Sequence, residues 1–161
     1  MIKKSIDVSL GGDGARPIAM LVQLASQFKS NIELHQENKV VNAKSKEDAR
    51  ILSRAIVGSN LSKAAIYGCD ANFGRFLCAM GYSGAQFDQE DVELFFESTA
   101  GRLQVFDKGT PLNFDEELAK KIMEAREVTV FVDMHEGSEE ATAWGCDLTY
   151  DYVKINADYR S

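Results

Sequence analysis

The side chains with the most chemistry to offer are gathered in the closing run A-T-A-W-G-C-D-L-T-Y-D-Y-V-K-I-N-A-D-Y-R-S, from Ala141 to Ser161. Asn156 carries a donor and an acceptor on one amide, and Ser161 adds a small hydroxyl five positions later, a combination suited to a zwitterionic small molecule. A terminus frays unless something ties it down. A tail this rich in aromatic and specific polar groups therefore reads as a binding element. The competing reading makes Asn156 a helix cap and Ser161 a frayed end.

Other chemistries find less support. His35 and His135 are far apart in sequence, and neither has a Cys or His at ligand spacing, so no metal site and no cofactor is expected. Cys69, Cys78 and Cys146 form no C-x-x-C pair, and their odd number argues against a disulfide framework; reduced thiols are expected. Gly81-Tyr82-Ser83-Gly84 follows a predicted helix instead of opening one, so it lacks the N–H cradle of a phosphate loop.

The elements that position the closing run follow from periodicity. Ile6, Val8 and Leu10 alternate with polar residues as a strand, Gly11 to Gly14 turn the chain, and Pro17 opens a helix faced by Ile18, Leu21, Val22, Ala25 and Phe28. Asn31–Gln36 and Lys39–Ala43 read as a hairpin around Glu37-Asn38. Ser45 caps a helix with Asp48 in a box-like position and Ile51, Leu52, Ala55 and Ile56 facing inward. The apolar run Ser62–Gly68 predicts a buried strand, Gly74–Gly81 a helix, and Val92–Phe96 with Leu103–Phe106 a hairpin. Acidic Asp115, Glu116 and Glu117 lead a further helix, Val128, Val130 and Val132 mark a strand, and Ala141–Cys146 another. Asp147 or Thr149 then caps a terminal helix whose Tyr150, Val153 and Ala157 are expected to pack on the sheet.

At 161 residues and 45% hydrophobic content the chain can bury a core as one domain or two small ones. No apolar window reaches transmembrane length, and a cytoplasmic protein is expected. A net charge of -7 disfavours nucleic acid and anionic membranes as partners. The charge is uneven: 6 Lys+Arg against 4 Asp+Glu up to Ser45 gives +2, while 12 against 21 from Lys46 onward gives -9. Such an asymmetry marks two surfaces or two origins.

Two resemblances follow these halves. G-A-R-P, L-V-Q-L-A-S-Q-F and V-N-A-K-S, in residues 1–45, resemble the first half of the HPr phosphocarrier family. The resemblance would put phosphate on a histidine at a helix N-terminus, but Gly14 stands there and offers no nitrogen. Gly14, Arg16 and Ser45 remain a possible anion or phospho site, with a plain N-cap as the better reading of Ser45.

From Lys46 onward, S-K-E-D-A-R-I-L-S-R-A-I-V, D-A-N-F-G-R and the closing run resemble the C-terminal part of the ornithine acetyltransferases, bifunctional enzymes of arginine synthesis. Phe73 stands where that family has Trp. The resemblance implies that Asn156 and Ser161 contact a glutamate- or ornithine-type amino acid. It also implies acetyl transfer through a threonine freed by self-cleavage, a nucleophile using its own amine as base. Thr99, Thr110, Thr129, Thr142 and Thr149 lie in no such cleavage motif, so no catalytic residue is expected in these 161 residues, and activity would need a complementary acetyltransferase chain.

The expected fold is α/β, a layered sheet-and-helix sandwich. A βαββ HPr-like start over residues 1–45 is followed by an ornithine-acetyltransferase-like α/β region over 46–161, the two forming one continuous fold or a fused chain without activity of its own.

Overall fold

A computed structural model describes residues 36–158. A mixed six-stranded sheet runs through them in the order β4-β3-β2-β5-β1-β6. The strands are β1 (Gln36–Ala43), β2 (Glu93–Ser98), β3 (Gly101–Asp107), β4 (Thr110–Pro111), β5 (Val128–Asp133) and β6 (Glu139–Gly145). Strand β1 pairs parallel to β5 and antiparallel to β6, so the earliest described strand lies between the two latest.

The hairpin expected over residues 31–43 is not formed. Gln36 to Ala43 is one unbroken strand with Glu37 and Asn38 in its middle. Glu-Asn supplies no glycine for the left-handed pair of a tight hairpin turn, and strands on both sides satisfy the backbone of this stretch. The earlier part of that hairpin, and the strand and helix expected before it, lie outside the described residues.

Helix α1 (Lys46–Gly58) follows β1 as expected. Ser45 Oγ accepts from the Asp48 N–H at 3.0 Å and donates to Asp48 Oδ2 at 2.6 Å. Ala49, Leu52 and Ile56 bury the inner stripe against β1 and β6. Residues 60–67 form a second helix, α2 (Asn60–Tyr67), where a strand was expected. Ser59 caps it, and the buried positions Ser62, Lys63, Ala65 and Ile66 follow helical spacing. A short apolar run has no periodicity of its own to separate strand from helix, and here the cap and two alanines favour the helix.

Helix α3 (Phe73–Gly81) and helix α4 (Glu116–Met123) match their predicted positions. Asp115 Oδ1 accepts from the N–H groups of Glu117 and Leu118, and Glu116 and Glu117 occupy the first turn, where the helix dipole favours negative charge. The core collects on one sheet face: Val40, Leu94, Phe96, Val130 and Val132 are fully buried against Leu52, Ile56, Phe76 and Ile122. Phe76 meets Phe96 edge to face at 5.2 Å. On the opposite face Arg102 lies 4.2 Å over the Phe95 ring and 4.6 Å over Phe131 while pairing with Glu97 at 2.7 Å.

Candidate functional site

The closing run is held at its start. Cys146 is buried, and the Leu148 N–H donates to the Lys63 carbonyl of α2 at 3.2 Å. Thr149, not Asp147, caps the last helix, α5 (Tyr150–Asp158): its Oγ1 accepts from the Tyr152 N–H at 2.9 Å. The Tyr150 ring meets Tyr67 edge-on at 5.3 Å.

Beyond that contact α5 does not pack as the apolar spacing suggested. None of its side chains is buried; Tyr150 is 81% exposed and Val153 52%. The helix follows β6, the edge strand of the sheet, and no strand or helix among the described residues packs closely on it.

Asn156 sits on this projecting helix. Its Nδ2 donates to the Tyr152 carbonyl at 2.8 Å, one turn back. The C-terminal cap role is therefore not what the side chain performs; it bonds within the helix. Ser161, Gly14 and Arg16 lie outside the described residues. Ser45 is occupied by its cap on both the donor and the acceptor side, so phosphorylation there would break the start of α1.

The motif around Asp70 is assembled as local structure. Asn72 leads α3 without a side-chain cap bond and donates to Asp70 Oδ2 at 3.4 Å, and Arg75 pairs with Asp70 at 3.8 Å. Phe73 stacks on Phe106 at 5.9 Å, keeping the packing that an aromatic at this place provides. Cys69 is no ready nucleophile. Burial, then the negative charge of Glu124, pushes its thiol above the ordinary range against the pull of Lys120.

An open cleft of about 720 Å³ is lined by Lys44, Gly81, Ala85, Phe87, Asp88 and Glu136 among others, and Asn156 is not among its described lining residues. One constellation escaped sequence reasoning: His135 reaches Glu93 on β2 and Asp133 at the end of β5. The D-x-H spacing was visible, but Glu93 lies forty residues away, and only the β2–β5 pairing brings it in.

Residues 21–161 match the model of the ArgJ family. The arginine biosynthesis bifunctional protein ArgJ of Thermotoga neapolitana is 54% identical over 125 residues, 78% of this chain and 32% of that protein. The glutamate N-acetyltransferase of Methanothermobacter thermautotrophicus is 50% identical over 124 residues, 74% of this chain and 31% of its own length. The crystal structure of the arginine biosynthesis bifunctional protein ArgJ of Bacillus halodurans superposes with a TM-score of 0.73 at 39% identity, over 89% of this chain and 67% of that one.

The chain belongs to the ArgJ family, and it spans about a third of the length of the curated relatives it matches. The family match begins at Leu21, inside the segment that resembles HPr, and no comparison supports that second resemblance. Among the described residues no helix is long and apolar enough to cross a membrane.

Proposed function

We propose that this chain is the closing, substrate-contacting part of an acetyltransferase that moves acetyl between N-acetylornithine and glutamate in arginine synthesis, acting in the cytoplasm. Asn156 and Ser161 contact the main-chain ends of the amino acid, the amide supplying donor and acceptor and the hydroxyl closing the site. The observation that carries this reading is α5 itself. None of its side chains is buried and Asn156 stands exposed on it, which suits a binding element better than a helix that serves the core.

The 161 residues alone do not turn over acetyl groups in this reading, because no threonine among them lies in the family's cleavage motif and the covalent step has no nucleophile. The complementary acetyltransferase chain supplies it. NMR titration with glutamate and with ornithine tests the binding role: shifts confined to α5 and the residues after it support it, and no shift at millimolar ligand refutes it. Turnover of N-acetylornithine by the chain alone would refute the inactive reading.

The HPr-like start remains a second proposal, resting on the G-A-R-P run. Strand β1, built as one strand where HPr-like order asks for two, speaks against carrying it as far as Ser45. Lacking a histidine at Gly14, the segment would serve as an interaction module and would not carry phosphate.

A further inference from the structure

Glu93 lies directly opposite Asp107 on β3 and directly opposite Asp133 on β5. Three carboxylates thus stand side by side across adjacent strands on the sheet face away from the helices, an arrangement in which like charges repel. Among the described residues the only ion pairs to any of them come from His135, whose Nε2 is 3.1 Å from Glu93 Oε2 and whose Nδ1 is 3.7 Å from Asp133 Oδ1. A neutral imidazole has one N–H. One ring nitrogen must therefore turn its lone pair toward a carboxylate oxygen, unless a positive charge enters the cluster.

The surroundings hold these groups in place. Asn42 Nδ2 donates to both oxygens of Asp133, at 2.9 and 3.0 Å, and the His135 N–H donates to Asp133 Oδ1 at 3.1 Å. The loop behind them is fixed by the N–H groups of Glu136 and Gly137, both donating to the Asn42 carbonyl. One ligand atom from each of Glu93, Asp133 and His135 lies within 4.8 Å of the others. Small side-chain rotations bring such a set onto metal–ligand distances of about 2 Å. All three groups are at least partly open to solvent, so an ion can enter.

We propose that Glu93, Asp133 and His135 form a binding site for a first-row divalent transition-metal ion such as Zn²⁺. Two carboxylates and one imidazole leave coordination positions for water, and the imidazole selects such an ion over Mg²⁺ or Ca²⁺, which take oxygen ligands. Asn42 is the supporting residue that orients Asp133. The ion neutralises the carboxylate row and ties β2 to the loop between β5 and β6.

The test uses the 161-residue chain, stripped with chelator and titrated with Zn²⁺, Co²⁺ or Mg²⁺ by calorimetry, with thermal unfolding followed in parallel. Zn²⁺ is expected to bind one per chain and to raise the unfolding temperature. Mg²⁺ is expected to do none of this. Glu93→Gln and His135→Asn should each abolish binding, and Asn42→Gly, which tolerates the left-handed backbone there at φ 54°, should weaken it about tenfold. Asn suits a left-handed backbone, so it keeps the conformation His135 adopts at φ 52°.

Absence of binding to the unaltered chain would overturn the proposal. So would binding that survives both ligand substitutions, equal affinity for Mg²⁺, or a thiolate charge-transfer band in the Co²⁺ spectrum, which would place the ion on cysteine. The Co²⁺ spectrum is read on the unaltered chain, so it decides the matter even where a variant fails to fold.

Discussion

The loop carrying His135 is pressed so closely on the end of β1 that one methyl group should disrupt it. A Cβ built on Gly137 would stand 2.4 Å from the Ala43 carbonyl oxygen, 3.0 Å from its carbon and 3.1 Å from Lys44 Cα. All three obstacles are backbone, so no side chain can rotate away, and the loop itself must move. That motion strains the packing, at about 1–3 kcal/mol, and lengthens the 2.8 Å bond from the Gly137 N–H to the Asn42 carbonyl, worth about 1 kcal/mol. Gly137→Ala is therefore expected to cost roughly 2–4 kcal/mol. In a domain of this size that lowers the unfolding temperature by roughly 6–12 °C. Urea unfolding should show a lower midpoint with an unchanged slope. Gly58→Ala is the matched control: nothing lies within 4 Å of its Cβ, so in a helix it should stabilise by about 0.5–1 kcal/mol. A Gly137→Ala chain within about 0.5 kcal/mol of the original would refute the contact.

Other positions give sharp expectations. Gln36 and Asn38 are buried side by side, with Gln36 Nε2 donating to Asn38 Oδ1 at 3.2 Å, while Gln36 Oε1 and Asn38 Nδ2 have no protein partner. Gln36→Leu alone should cost about 1–3 kcal/mol by orphaning Asn38 further, and adding Asn38→Leu should recover most of it; additive losses in urea unfolding would contradict this. Ser45→Ala should cost about 1 kcal/mol as the loss of an N-cap, and an unchanged urea midpoint would deny the cap its role. Alkylation should reach exposed Cys78 well before Cys69, whose raised thiol pKa delays thiolate formation to higher pH; equal rates at neutral pH, read by mass spectrometry, would count against the burial of Cys69.

Much of this fold could be read from the chain because its signals were periodic and capped. The valines of β5 alternate, Asp115 announces α4, and Ser45 with Asp48 marks the start of α1. The failures share one cause, that tertiary context decided where local pattern was neutral. Ala64-Ala65-Ile66-Tyr67 is apolar throughout and could be strand or helix; Ser59 and the packing of α2 on α1 and α3 settled it. Val153 and Ala157 carry helical spacing, yet spacing says which residues share a face and not whether anything covers it. Asn156 was legible as a polar group on a terminal helix. The carboxylate row was not, since register between β3, β2 and β5 appears nowhere in the order of the residues.

That register also bears on whether the segment up to Ser45 can be separated from the rest. Strand β6 pairs only with β1 among the described strands, and β5 reaches β6 only through it. Removing residues 1–45 would strip α1 of half its sheet surface, expose Leu52 and Ile56, and delete fully buried Val40, each such side chain worth roughly 1.5–3 kcal/mol. Two freshly bared strand edges would add an aggregation hazard. The sum reaches the whole stability of an ordinary domain, about 5–15 kcal/mol. The fragment Lys46–Ser161 is therefore expected not to fold alone, and limited proteolysis should not cut between Ala43 and Asp48 while the chain is native. A protease-resistant Lys46–Ser161 fragment with dispersed amide resonances would show that the two segments are independent units and that β1 is a dispensable guest in the sheet.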